Sequence, residues 1–529
     1  MPVFSNLTVR VSLGLLATYV VVKLVLLLKK RGRPPLPPGP RGWPILGNLQ
    51  DLPKPGVFEP HHWLGLKKRF GPISSLTVLG KPIIIINDAQ LAFELFDKRS
   101  ELYSCRPQQT FVGEMVGWNR AMGMAPWNNQ LRAMRKNISR GIGSNAAIAR
   151  YHDLQDAEVS HFLLHMLESP EDLSEHLRKA VGTIVLKIAY GYNAEPHEND
   201  ILIDMVHKAM SRLGRAAVPG TFMVDIFNIL KYLPEWAPGS AFKATAREWS
   251  AQLVDMVELP YAFVDRQLSH GGHEWSYTSH LMEAENLSPE DIDTIKWSAV
   301  SLYTGGGDTS VSALGFFFLA MAMYPEVQVR AQEELDRVVG TERLPVMSDR
   351  KDLPYLEAIM KETIRWHPVA PMGLAHKNIE DDICNGYRIP KESMLFANIW
   401  HFTHDPDVYH DPGVFKPERF LHGDAYEPEP DPGKFVFGFG KRKCPGMNLA
   451  YHTIFLAMAK SLAVFSIGDG GLSGIDDNSL VTNGLVSHPK PYRSVIKPRS
   501  VRCEERIRSL QELYPWARSD GAALKSVSL

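Results

Sequence analysis

Cysteine is scarce in this chain: Cys105, Cys384, Cys444 and Cys503 are the only four in 529 residues. No two form a C-x-x-C pair, which argues against a zinc ribbon or a thioredoxin-type site. Four in so long a chain make no disulfide scaffold. An excess of charge is missing too. Lys and Arg number 58 against 59 Asp and Glu, a formal net charge of −1, so a nucleic-acid binder working by charge alone is excluded. A composition of 44% hydrophobic and 22% charged residues excludes a disordered chain. Low-complexity breaks and internal repeats are lacking between about 60 and 505. The length alone would suggest about three domains, but one continuous body fits this uniform pattern better.

Acidic residues are absent before Asp51, and the longest apolar run lies in that stretch. Residues 11–28, VSLGLLATYVVVKLVLLL, carry a single charge, Lys23. A bilayer core needs ~20 residues of helix, so the run is just long enough to span, and the lysine stem can snorkel. The basic cluster Lys29-Lys30-Arg31-Gly32-Arg33 follows it. By the positive-inside rule the body is then cytosolic. A cleaved signal peptide fits less well, because the basic residues follow the apolar run and no small-x-small site is present. The segment Pro34-Pro35-Leu36-Pro37-Pro38-Gly39-Pro40 reads as a stiff spacer. The chain therefore divides into an anchor (1–28), a basic and proline-rich hinge (29–50), a main body (51–505) and a polar, loosely held tail (506–529).

The body is mainly α with small β-sheets. Residues 73–87 are β-branched around Gly80 and Pro82 and predict a hairpin; further β-prone pieces fall at 384–398 and 480–497. Ser288-Pro289-Glu290-Asp291 is a capping box with proline at the first helical position. The helix it starts runs to Tyr324, where Pro325 ends it. Its second half is apolar all round but too short, after Gly305-Gly306-Gly307, to be a second span, so it predicts a buried core helix. Three glycines inside a helix cost about 1 kcal/mol each against alanine. They suit the close approach of a flat or bulky group. Asp308 and Thr309 follow them, an acid and a hydroxyl able to relay protons, or a threonine merely bonding back to a carbonyl.

Residues 437–446 read FGFGKRKCPG. Cys444 lies where an amphipathic helix is about to begin, with Pro445 expected as its first residue. The helix dipole and Lys441, Arg442 and Lys443 favour a thiolate, and a thiolate on a glycine-rich loop is a nucleophile or a metal ligand.

This segment resembles the haem-binding signature of the cytochrome P-450 superfamily at Phe437, Gly440, Arg442, Cys444 and Gly446. The resemblance implies that Cys444 is the proximal ligand of a haem b iron, where a thiolate favours O–O cleavage. It implies that Arg442 pairs with a propionate. Lys361-Glu362-Thr363-Ile364-Arg365 is similar to the family's Glu-x-x-Arg motif, and Arg419 in Pro417-Glu418-Arg419-Phe420 to the third member of its buried triad. Gly305 to Thr309 resembles the oxygen-activation motif, making Asp308 and Thr309 the catalytic proton-relay pair. Two positions depart from the family. Leu131 stands where a tryptophan is usual, leaving Arg135 as the propionate candidate with Trp127 one turn away. The usual Pro-His-Arg reads Ala375-His376-Lys377, so His376 is either a propionate contact or a surface residue. Residues 232–239 and 487–492 are similar to the fungal microsomal secondary-metabolite group that includes O-methylsterigmatocystin oxidoreductase-like enzymes.

The resemblance implies a monooxygenase of the endoplasmic reticulum membrane, single-pass, with its catalytic domain cytosolic. It takes electrons from NADPH through NADPH-cytochrome reductase, with cytochrome b5 as a further donor, and Lys434, Lys441 and Lys443 are candidates to dock the reductase. Its substrate would be an apolar small molecule, a terpenoid or else an aromatic or polyketide compound, met by Phe111, Met115, Trp118, Val300, Thr304, Val369, Met372 and Leu485. The competing readings are a haem-thiolate isomerase or dehydratase that uses no O2, and a non-catalytic haem or electron-transfer protein.

Overall fold

The computed structural model describes residues 33–527 except 55, 219, 424–426 and 473–476. The anchor expected over 11–28 lies outside the described residues. Helices dominate. The four-stranded sheet contains β1 (Ile73–Val78), β2 (Lys81–Ile86), β3 (His376–Lys377) and β6 (Met394–Ala397), in the order β1-β2-β6-β3. Two-stranded sheets are formed by β4 (Asp382–Cys384) with β5 (Tyr387–Ile389), and by β7 (Phe465–Asp469) with β8 (Ser494–Pro498). The expected hairpin is β1–β2, with Val78 opposite Lys81. Leu79 and Gly80 both have positive φ, 48° and 82°, the two-residue turn whose twist matches the strands. Of the β-prone stretch 480–497, only 494–497 enters a strand.

The hinge is held against two of these sheets, at β1 and at β5. Ser75 N donates to Pro38 O at 2.9 Å, and Arg388 N to Pro35 O at 2.8 Å. A Cβ at Gly39 would meet Ser75 O, so only glycine passes there.

The helix expected from Ser288 spans Pro289–Met323. Ser288 Oγ accepts from Asp291 N, and Asp291 Oδ2 accepts from Ser288 N, closing the capping box. It is long and apolar enough to cross a membrane, but most of it is buried in the core. Helices Asn129–Ile142, Leu173–Tyr190 and Met447–Val464 pack around it. In Asn129–Ile142 the buried Leu131, Met134, Ile138 and Ile142 form one stripe at helical spacing.

The tail is not loose. The boundary expected at 505/506 falls inside helix Val501–Leu513. His161 Nε2 lies 2.9 Å from Tyr514 O, the His161 ring stacks on Trp516 at 3.8 Å, and Asp520 exchanges backbone and side-chain bonds with Asn193. Ile507 and Leu510, three apart on helix Val501–Leu513, are buried in the main core together with Leu524, and the polar residues around them concealed this.

Candidate active site

Cys444 follows a short 3-10 turn, Gly440–Arg442, and its N–H donates to Phe437 O at 2.8 Å. Gly438 and Gly440 have φ of 74° and 48°. A Cβ on Gly440 would collide with Phe96 O, so the loop is thin because glycine makes it so. Phe437 packs edge-on against Tyr451. The following helix starts at Met447, with Gly446 as its N-cap; Pro445 lies in the turn before it rather than at its first position. The Cys444 residue is accessible, yet burial pushes its thiol up, against the pull of the Gly446 N–H and Arg135. Accessible and desolvated together describe a group lining an internal cleft. Arg135, rather than the three neighbouring basic residues, is the charge that acts on it.

Three guanidiniums gather beside this loop. Arg442, 8% exposed, donates from Nε to Ser104 O at 2.6 Å, from Nη1 to Met122 O at 3.1 Å and from Nη2 to Ala125 O at 2.6 Å. Arg106, 6% exposed, donates to Gly123 O at 3.1 Å and to Leu374 O and Ala375 O at 2.7 and 2.8 Å. Arg135 Nη2 donates to Lys443 O at 2.8 Å. Among the described residues no carboxylate pairs with any of the three. Burial, Arg442 and Arg135 hold Arg106 well below its ordinary range; burial pushes Arg442 down to about 10. A buried cationic cluster of this kind calls for an anion.

Arg106 escaped the sequence reading; only its place five residues before Phe111, the first expected pocket residue, could have marked it. Leu131 is fully buried in the core and takes no part in this cluster. Trp127 does, with Lys441 and Arg442 over its ring at 5.5 and 5.7 Å. His376 is not a surface residue. It is buried, stacked on Phe96 at 4.1 Å, and its Nδ1 lies 2.8 Å from Tyr103 O. Burial and then Arg106 hold its pKa far down, so the ring is neutral.

On the central helix, Gly305 is accessible and Asp308 and Thr309 are partly so, within an otherwise buried run. A Cβ at Gly305 would meet nothing, whereas one at Gly306 would press on Val185 at 3.1 Å. The first glycine opens surface; the second admits a neighbouring helix. Thr309 Oγ1 donates back to Gly305 O at 2.7 Å. His488 Nε2 lies 3.3 Å from Asp308 Oδ1.

The triad positions converge. Arg365 grips Glu362 with two bonds of 2.7 and 2.8 Å, and Arg419 Nε reaches Glu362 at 3.2 Å. Arg419 Nη1 also binds Glu429 at 2.7 Å. Glu362 and Arg365 are fully buried, so this is no surface ion pair.

The expected pocket residues separate. Phe111 is buried and stacked on Phe222 at 3.4 Å. Trp118 and Val300 belong to the main core, and Met115, Val369 and Leu485 pack partly buried on it. Thr304 Oγ1 donates to Val300 O at 2.8 Å. Met372 packs instead with Trp63, Leu76 and Ile85 beside the hairpin, so it belongs to the sheet's own small core.

Among the described residues no group of three or more His, Cys, Asp or Glu could hold a metal ion. A metal on Cys444 must therefore arrive with most of its ligands, as in a macrocycle, and an acidic macrocycle would answer the arginine cluster. The residues present fit a haem.

The family model described as Cytochrome P450 matches residues 37–495. The chain is 44% identical over 504 residues to Cytochrome P450 monooxygenase claR of Ampulloclitocybe clavipes, covering 94% of this chain and 92% of that protein. It is 40% identical over 510 residues to O-methylsterigmatocystin oxidoreductase of Aspergillus flavus, with 96% of each covered. It is 38% identical over 510 residues to the Multifunctional cytochrome P450 monooxygenase af510 of Aspergillus fumigatus, covering 93% and 94%.

Proposed function

The chain belongs to the cytochrome P450 family and is a cytochrome P450 monooxygenase, and on that premise we propose how its residues divide the work. Cys444 is the iron ligand. The observation that carries this is a lone, accessible, desolvated cysteine beside three arginines that have no carboxylate partner. Arg106, Arg135 and Arg442 hold the propionates, the last two as the sequence suggested. Neutral His376, its Nδ1 turned to Tyr103 O, packs the same wall through Phe96. When bound, the haem supplies the iron at which dioxygen is activated, with a thiolate donating electron density from below.

Asp308 and Thr309 deliver protons from the helix side. The Thr309 hydroxyl donates to Gly305 O, which leaves its oxygen free to accept a hydrogen bond. An acid and a hydroxyl at this place favour oxygen chemistry over an isomerase, a dehydratase or a simple electron carrier. Glu362, Arg365 and Arg419 fix the segment that precedes the cysteine loop.

The substrate is an apolar small molecule of fungal secondary metabolism, terpenoid or aromatic. The apolar character of Phe111, Met115, Val300, Val369 and Leu485 supports this. NADPH-cytochrome reductase supplies the electrons, docking near Lys434 and Lys443, both exposed; Lys441 is already paired with Glu101.

The body sits at the cytosolic face of the endoplasmic reticulum, anchored by 11–28. Exposed apolar residues support that attitude. Trp43 and Ile45, 61% and 90% exposed, lie in the hinge after its proline run. Ile229 and Trp236, 75% and 85% exposed, lie on a second stretch. Both stretches neighbour the tip of the β1–β2 hairpin: Leu79 N donates to Leu46 O, and Lys81 acts on Asp225. Apolar surface gathered on one rim suits a lipid interface.

The reduced carbon-monoxide difference spectrum tests the central assignment. The full chain in yeast microsomes is expected to give the red-shifted thiolate band, and Cys444→Ser to lose it. A Cys444→Ser variant that keeps the band would overturn the assignment.

A further inference from the structure

The C-terminal loop 481–492 is keyed to one face of the central helix at residues 308, 312 and 315. Ser312 Oγ donates to Ser487 O. Tyr492 OH donates to Gly315 O at 3.2 Å. A Cβ at Gly315 would lie 2.9 Å from Pro489 Cγ, so glycine there admits the loop. From the other side Ser487 N donates to Val369 O at 2.8 Å. Within the loop, Ser487 Oγ donates to Thr482 O at 2.9 Å and His488 N to Thr482 Oγ1 at 2.8 Å. These contacts flank one side chain, His488, and fix its position on both sides.

The His488 Nε2 stands 3.3 Å from Asp308 Oδ1 and 3.4 Å from Oδ2. The side chain of His488 is 31% exposed and that of Asp308 18%, so the ring is the more open of the two to water. Among the described residues no lysine or arginine pairs with Asp308. The other groups facing this pair come from two helices. His207, on Ile201–Ala216, feels the charge of Asp308 and of His488. Arg178 and Glu175, on Leu173–Tyr190, act on His207 and pair with each other at 2.5 Å.

We propose that His488 is a positioning residue for the proton-delivering carboxylate: it holds Asp308 and passes solvent protons to it. The inference rests on the role proposed above for Asp308. In the step, hydronium or a buffer acid protonates Nδ1 of the neutral ring. The Nε2 proton then moves to Asp308, leaving His488 neutral in its other tautomer and Asp308 as the neutral acid. Asp308 hands that proton inward and is a carboxylate again. Loss of the Nδ1 proton to water and uptake at Nε2 resets the ring. Histidine suits this place because each of its two ring nitrogens can take up or release a proton.

The test uses the full-length haem-loaded chain with reductase in lipid nanodiscs, given only NADPH and O2. NADPH oxidation is followed from about pH 5.5 to 8.5, in H2O and in D2O, for wild type, Asp308→Asn, His488→Ala and His488→Gln. Glutamine keeps a donor for Asp308 but carries no proton through itself. The wild-type rate is expected to depend on pH across that range. Both His488 variants are expected to lose this dependence, to run about fivefold or more slower and to change the solvent isotope effect. Thermal midpoints of Asp308→Asn, His488→Gln and the double variant are expected to be non-additive, as for residues in contact. The carbon-monoxide band certifies that each variant holds haem, and His488→Gln carries the test if His488→Ala does not. Wild-type rate, pH profile and isotope effect in both His488 variants, with Asp308→Asn slowed, would overturn the role of His488 alone. The same result with Asp308→Asn also unchanged would overturn the reading of Asp308 as well.

Discussion

Two groups of buried arginines solve the problem of burial in opposite ways. Arg365 and Arg419 are set against two carboxylates, Glu362 and Glu429, at 2.7–3.2 Å. Their remaining donors reach the carbonyls of Thr403, Pro412, Val414, His410 and Asp411. Although burial pulls Arg419 down, Glu362 and Glu429 more than restore it. Arg106 and Arg442 are as deeply placed but have only carbonyls, and Arg135 adds a third positive group. The first cluster is closed: two cations, two anions, every bond made. The second is open by the charge of an absent anion. A buried cluster that balances itself belongs to the scaffold; one that does not is shaped by what it will bind.

The largest effect expected is from breaking the closed cluster. Arg365→Ala leaves Glu362 buried with only Arg419 and the Lys416 N–H. Breaking a buried pair from one side costs about 3–5 kcal/mol, a large share of a domain's total stability. Urea unfolding should show that loss, or the protein should fail to accumulate folded. Arg365→Lys should recover little, because a lysine cannot make the two-bonded grip.

A third buried site sharpens the comparison, because its histidine resists taking a charge. His165 is 9% exposed, and its Nε2 has no hydrogen-bond partner among the described residues. Burial first, then Lys179, His176, His197 and His161, push its pKa down to about 4. The unfolded chain takes up this proton below about 6.5; the folded chain resists until about 4. Stability is therefore intact above pH 6.5 and falls as the pH drops toward 4, by roughly 3 kcal/mol from this group alone. His165→Leu should flatten that acid slope in thermal melts. Trp516, 5.1 Å from the His165 ring, should report the loss of tail docking in its fluorescence.

The closed cluster was legible in the sequence and the open one was only half so. Glu-x-x-Arg places two residues on one face of a helix, and a second arginine follows in a short motif; the structure brings all three together. The loop around Cys444 was equally legible, because glycines with positive φ leave a fixed imprint at 438 and 440. The central helix was readable end to end from its capping box and terminal proline. Arg106 was not, because an isolated arginine before a loop carries no pattern. His488 was quoted for a resemblance without a role, since its partner stands 180 residues away in the chain. The tail was misjudged because its few apolar anchors, Ile507, Leu510 and Leu524, are thinly spread among polar residues, and Met372 because a loop residue can turn toward either of two cores.

A smaller effect with a different readout is expected at the open cluster. Arg106→Gln removes one of three like charges and keeps a donor for the surrounding carbonyls. It should disturb the haem-free fold less than Arg365→Ala does. Its cost should appear in haem retention: transfer to apomyoglobin should run about tenfold faster, the equivalent of ~1.4 kcal/mol. A variant that unfolds like Arg365→Ala yet keeps haem like wild type would erase the distinction between the clusters.

The smallest effect expected lies on the central helix itself, where Gly315→Ala sets two terms against each other. Alanine in a helix interior gains about 1 kcal/mol over glycine. The added Cβ would lie 2.9 Å from Pro489 Cγ and 3.3 Å from its Cδ, closer than the loop can tolerate unmoved. A proline ring cannot swing aside like a flexible side chain, so the loop as a whole must give by a few tenths of an ångström. Such a shift draws on the Tyr492–Gly315 bond, already 3.2 Å, and on the long Asp308–His488 contact. The two terms nearly cancel in global stability, and the thermal midpoint should move by no more than a few degrees. The added Cβ meets Pro489 and no member of the closed arginine cluster, so urea unfolding should stay close to wild type. A destabilisation as large as that of Arg365→Ala would instead place loop 481–492 within the scaffold, and the division drawn here between self-balanced framework and adjustable site would fail at this edge.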